Sequence, residues 1–280
     1  MNPPLTLVVG KGGVGRSTVA RALSWEATLR GTRSVCVELG TGGGTDVPVG
    51  PTGARPNVLV LDPATAVEAA AAAVFGSRRV ARALLGNFAM QRLLDVIPAI
   101  REYALLVAAL DLVRSHDHVV VDMPATGHAL AWLGVADSLG RLVPSGRARA
   151  QADRLDATLR SPEASAIIVV TLTEALVLAE TRELRDALRV QLGRDADRCV
   201  VNRAPALLAD GSRTARDLAA RAPALADPAQ QLAAWLERRE HARAHAEAAS
   251  GALPTVWLRD FGGPPDLGVI ARALAVETAS

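Results

Sequence analysis

The chain has 280 residues, of which half are hydrophobic and 21% charged, and its formal net charge is only +2. That apolar mass suffices for a substantial core in one elaborated domain over residues 1–280, and arginines alternate with acids instead of forming a cationic block, so no nucleic acid partner is expected. The start Met1-Asn2-Pro3-Pro4 lacks a signal core and no run reaches about 18 apolar residues, which argues against export and a membrane span and for a soluble cytoplasmic α/β protein.

Leu5 to Val9 read as a buried strand and Ser17 to Leu29 as a helix. Between them Gly10-Lys11-Gly12-Gly13-Val14-Gly15-Arg16-Ser17-Thr18 meets the phosphate-loop spacing at Gly10, Gly15 and Ser17, and departs from it at Arg16, where lysine is expected. Glycines let the backbone curl round an anion without a Cβ in the way, so that successive N–H groups surround phosphate oxygens. The Ser17 hydroxyl suits the shell of a magnesium ion. Arg16 keeps the positive charge but presents a larger planar fork than lysine.

After the Gly31-Thr32-Arg33 turn comes a strand at 34–38 that ends in Glu38, then a Gly, Thr and Pro-rich stretch at 40–57 that reads as a mobile switch loop. Val58 to Leu61 is either an edge strand or the end of that loop. Residues 64–115 form a helical subdomain insert whose apolar faces are assigned to its own core in preference to an open groove. Further strands at 118–122, 166–171, 198–202 and 254–258, with an additional helical region at 205–250, complete an alternation that specifies a mainly parallel, doubly wound α/β sheet with helices on both faces. Asp122 then sits at a carboxyl strand end, where ligands gather in such sheets. Asn202 ends another strand, and its amide serves either a turn or a purine edge. Cys36 and Cys199 read as reduced core residues, and His241 with His245 as part of a solvated helix face.

The pattern K-G-G-x-G-[K]-[ST]-T resembles the deviant phosphate loop of the dimeric ATPases that include the arsenite-pump ATPase, the tail-anchored-protein targeting ATPase and the Min and Par positioning ATPases. Val119 to Asp122 followed by Pro124-Ala125-Thr126-Gly127-His128-Ala129-Leu130 resembles the switch II segment of the arsenite-pump branch. Val169 to Leu176 with Glu180-Thr181-Arg182-Glu183-Leu184, and Cys199-Val200-Val201-Asn202-Arg203, are similar to two further segments of that branch. The resemblance implies that Lys11 reaches across a dimer interface, that Asp122 holds magnesium through water beside Ser17, and that Asn202 with Arg203 contacts adenine. No N-K-x-D guanine motif is present, so ATP with Mg2+ is the expected ligand pair.

Departures qualify the likeness. Gly40 stands where the branch has its switch I aspartate, which orients the attacking water; either Glu38 or Asp46 is a candidate replacement. The V-E-x-x-G form is similar to paired actinobacterial relatives that work as two different subunits. No C-x-x-C is present, so no structural zinc is expected. Two functions follow: a nucleotide-driven dimer, homodimer or heterodimer with a paralogous ATPase, coupled to transport or targeting through a membrane or client protein partner; or a hydrolytically weak nucleotide-binding subunit that regulates such a paralogue. Lys11, Arg16, Glu38 and Asp122 are the catalytic candidates.

Overall fold

The computed structural model describes residues 3–40, 56–88, 90, 92, 97–143, 145–260 and 266–276. Seven strands form one parallel sheet: β1 Leu5–Gly10, β2 Ser34–Leu39, β3 Val58–Leu61, β4 His118–Asp122, β5 Ser165–Thr171, β6 Arg198–Ala204 and β7 Thr255–Arg259, in the order β3-β2-β4-β1-β5-β6-β7. The strands run as continuous apolar segments because both faces are covered, the usual condition of a parallel sheet. Val58 to Leu61 resolves as an edge strand paired with β2. It is four residues long with Leu59 and Val60 exposed, as a short, half-solvated edge permits.

One face of the sheet packs Leu5, Leu7 and Val9 against Met123, Leu133 and Leu159. That face is covered by α4 Pro98–Asp111, α5 Thr126–Leu133, α6 Val135–Leu142, α7 Arg147–Arg160 and α8 Ala175–Leu192. The other face packs Val8, Cys36, Val120 and Val170 under α1 Arg16–Leu29 and α11 Leu267–Val276. Both cysteines are free and buried, and burial pushes their thiols above the ordinary range.

The 64–115 stretch contains α2 Pro63–Phe75, α3 Arg78–Leu85 and α4. Asp62 caps α2 by accepting from the Thr65 N–H at 2.8 Å, with Pro63 in the first turn, and Ser77 caps α3. Ala66, Val67, Ala104 and Leu105 make a small core there. The expectation that the core would consume the apolar faces holds only in part: a cavity of about 320 Å3 remains, lined by residues such as Val74, Leu85, Ile100 and Tyr103, and Phe75 is half exposed.

In the 205–250 stretch, α9 Gly211–Arg221 packs on α10 Ala226–Ser250 through Ala215, Ala233 and Leu236. Arg185 of α8 ties α10 to the body by donating to the Ala249 carbonyl while gripping Asp195. His241 and His245 are both exposed on α10. Among the described residues no helix is long and apolar enough to cross a membrane.

His118, at the start of β4, is 8% exposed, with Nε2 2.9 Å from the Thr6 hydroxyl. Burial, aided by the nearby charge of Arg30, pushes its pKa down from 6.5 to about 4. The folded state therefore prefers the neutral ring, and the unfolded chain takes up its proton first as pH falls. Stability drops between pH 6.5 and about 4 and levels off below, a loss of about 3 kcal/mol from this residue. Denaturant unfolding of the native chain and of His118→Gln at pH 7 and 4.5 checks this: the variant is expected to show the shallower pH dependence.

Candidate functional site

The loop between β1 and α1 takes its shape from glycines that no other residue replaces. Gly10 has φ 152° and Gly15 φ 92°. A Cβ on Gly10 would lie 2.3 Å from the Val170 carbonyl oxygen of β5, and one on Gly15 would lie 2.3 Å from Asn202 Nδ2. No side-chain oxygen caps α1 and its first turn holds no acid. The first N–H groups of the helix are thus left for another acceptor, and the positive end of the helix dipole favours an anion there.

Sheet order brings the second half of the site to this loop. β4 lies between β1 and β2, with Asp122 in register with Val8 on one side and Glu38 on the other. Ser17 Oγ, in the first turn of α1, donates a short hydrogen bond to Asp122 Oδ2. Burial pushes the Asp122 carboxyl above the ordinary range, opposed by the Ser17 hydrogen bond and by Arg16. Its Oδ1 is buried without a partner, and so is Thr126 Oγ1 at the start of α5.

Arg16 turns toward the segment that follows β4, where Nη1 donates to the Met123 carbonyl. Burial holds its pKa below the ordinary value, with Asp122 acting the other way. Glu38 is also close, but its Oε1 accepts from Arg21 Nε at 2.8 Å and pairs with Arg21 Nη2 at 2.6 Å. Arg16, Ser17, Glu38, Gly40 and Asp122 line a common cavity of about 220 Å3. Gly40 has φ 110°, and its N–H donates to Leu61 of β3. Asp46, the alternative to Glu38, and most of the 40–57 stretch expected to be a switch loop lie outside the described residues.

Lys11 stands at the loop rim, with Nζ 2.6 Å from Glu180 Oε1 of α8. Asn202 braces the loop from β6: Nδ2 donates to the Val14 carbonyl at 2.8 Å, and Oδ1 accepts from the Arg203 N–H at 2.9 Å. Val14 is buried against the α1 face of the sheet, and Gly12, Gly13 and Thr18 complete the turn into the helix.

The structure thus gathers the predicted loop residues, Glu38, Asp122, Asn202 and Arg203 at one sheet end. Sequence reasoning assigned no role to Arg21 or Glu180, and took Thr126 only as part of the turn after Asp122 that the resemblance expects to sense the terminal phosphate. Arg21 lies one helical turn beyond Ser17, a spacing that puts both on one face. Glu180 and Thr126 stand inside recognised segments, but nothing local in the sequence tells which chain neighbours they meet.

The donor set fits magnesium. A hydroxyl and a carboxylate with one buried, unpartnered oxygen are hard ligands, and among the described residues no three His, Cys, Asp or Glu side chains form an all-protein cage. Magnesium is usually held in this way, by one or two protein oxygens together with substrate phosphates and water.

No family model matches the chain. ATPase BagA of Mycobacterium tuberculosis is 30% identical over 221 residues, which cover 71% of this chain and 64% of BagA. An uncharacterized protein of Streptomyces coelicolor, SCO2128, is 33% identical over 163 residues, covering 53% of this chain and 42% of its own length. The chain therefore spans less than two thirds of either relative. At this low identity, the likeness to a protein named ATPase supports an ATPase family for the chain.

Proposed function

We propose that the chain is an ATP-binding, magnesium-dependent P-loop ATPase subunit of the arsenite-pump and tail-anchored targeting type. The observation that carries this reading is the pair of buried, unpartnered oxygens, Asp122 Oδ1 and Thr126 Oγ1, set beside an uncapped helix start in a glycine loop. Backbone N–H groups from Gly12 to Arg16 hold the phosphates, and Lys11 and Arg16 balance their charge. Ser17 and Asp122 would hold magnesium, which when bound neutralises charge on the terminal phosphates. Thr126 offers its hydroxyl to the terminal phosphate. Asn202 and Arg203 serve the adenine, and Asn202 keeps the loop in shape meanwhile.

The working unit in this reading is a dimer, of identical chains or with a paralogue, in which Lys11 leaves Glu180 for the partner's phosphates and nucleotide binding drives transport or targeting through a membrane or client protein. Calorimetry with ATP and GTP, each with and without magnesium, tests the core of the proposal. ATP is expected to bind more tightly than GTP, with magnesium strengthening it. Equal affinity for the two, or none for either, would sink the adenine assignment.

A second reading, a hydrolytically weak subunit that completes or regulates a paralogue, is favoured by one observation: Glu38 is held by Arg21, and Gly40 brings no side chain to the water-orienting place. On this reading Arg16→Lys raises ATP turnover by about tenfold, because a slimmer cation follows the transferring charge and releases the Met123 carbonyl. Steady-state phosphate release measures it. Unchanged or lower turnover would mean that Arg16 is adapted to this site and that the deficiency lies elsewhere.

A further inference from the structure

At the end of the sheet away from the phosphate loop lies a cavity of about 210 Å3 that the ATPase reading does not use. It sits at the starts of β1, β4, β5 and β6, marked by Thr6, His118, Ala166 and Arg198. Thr6 precedes Gly10 by four residues of extended strand, about 13 Å. The remaining walls include Leu23 and Glu26 of α1, Arg30 just past its end, and Leu274 of α11. α1 thus faces the phosphate loop with its first turn and this cavity with its last.

Glu26 is costly to the fold in three ways. The residue is 6% exposed, and its Oε1 is buried without a partner while Oε2 accepts from Arg30 Nη2 at 2.5 Å. Burial pushes the carboxyl above the ordinary range, opposed by Arg30 and by the nearby charge of Arg198. An acid in the last turn of α1 also meets the negative end of the helix dipole. Packing alone would be served better by an apolar side chain. Arg198 makes no ion pair among the described residues, and the Asp197 carboxylate beside it is held by Arg194 and by the Ile167 N–H. Glu26, Arg30 and Arg198 together leave the cavity with one positive charge in excess and one carboxylate oxygen without a donor.

We propose that this cavity is a binding site for a small apolar α-amino acid in its zwitterionic form. The ammonium group donates to Glu26 Oε1, and the carboxylate meets the guanidinium fork of Arg198. A simple cation would leave Arg198 unanswered and be repelled by it, and a simple anion would leave Oε1 without a donor. Leu23, Ile168 and Leu274, all buried, form an apolar wall for the ligand's side chain. The volume, below the ~300 Å3 at which ligand pockets usually begin, suits an amino acid and not a nucleotide. The proposal uses no residue of the ATPase reading and stands or falls apart from it.

The test titrates leucine into the full chain by calorimetry, beside isopentylamine, which is leucine without its carboxylate, and isocaproate, which is leucine without its ammonium group. Leucine is expected to bind once per chain, with the phosphate loop empty or filled with ATP and magnesium. Each half-molecule should bind at least about tenfold more weakly, the scale of one lost charge-assisted bond. Glu26→Gln and Arg198→Gln should each weaken leucine by a similar factor and leave ATP affinity within about twofold. The proposal is overturned if leucine does not bind, if either half-molecule matches it, or if ATP displaces it one for one. It is also overturned if both variants bind leucine like the native chain while melting shows them folded. The comparison of leucine with its halves needs only the native chain, so a variant that fails to fold leaves that test intact.

Discussion

Asp122→Asn is expected to lower ATP turnover by about a hundredfold, or ~2.7 kcal/mol of transition-state stabilisation, without lowering the melting temperature. The two halves of this result have one cause. Asp122 is a half-buried carboxylate whose pKa burial raises, so its charge costs the folded protein stability at neutral pH. Asparagine keeps the shape and can still bond Ser17, but it removes the charge that magnesium needs. Phosphate release and thermal melting of the same preparations decide the matter. A variant that melts well below the native chain yet turns ATP over normally would show Asp122 to be a structural residue, and the site would have to be sought elsewhere.

Gly10→Ala should be the most damaging single methyl in the described structure, costing ~3 kcal/mol or more. Gly10 pairs with Val170 in the β1–β5 ladder, and the added Cβ would stand 2.3 Å from a backbone oxygen that cannot rotate away. The two central strands would have to part, and the φ of 152° adds strain of its own. Gly13→Ala is the control. Its φ of 84° is also positive, but nothing lies within 4 Å of the new atom, so only the left-handed penalty of about 1–2 kcal/mol applies. Urea midpoints for both variants test the ranking; equal midpoints would refute the clash argument.

The strands were legible because a sheet covered on both faces demands unbroken apolar runs, as in Leu5 to Val9 and Ile167 to Val170, and these signals are local. Val58 to Leu61 was ambiguous for the same reason: four apolar residues suit an edge strand or a loop end alike, and only pairing with β2 decides. The glycine loop announced itself through backbone needs that glycine alone meets. The contact between Ser17 and Asp122 was readable only through motif resemblance, because it spans 105 residues and depends on β4 inserting beside β1. Arg21 with Glu38 and Lys11 with Glu180 are likewise products of helix placement over the sheet. The charge of Glu38 was visible in the sequence; the guanidinium that restrains it was not.

The amide of Asn202 joins Val14 across 188 residues of chain. A nascent polypeptide made at about 5–20 residues per second would need roughly ten to forty seconds to bring these two positions into one molecule. Until then β1 and α1 can exist, but the loop between them lacks its brace from β6. Tight nucleotide binding would accordingly be among the last properties to arrive during synthesis, and a ribosome-bound chain halted before Asn202 emerges would carry every residue of the glycine loop yet hold the nucleotide poorly.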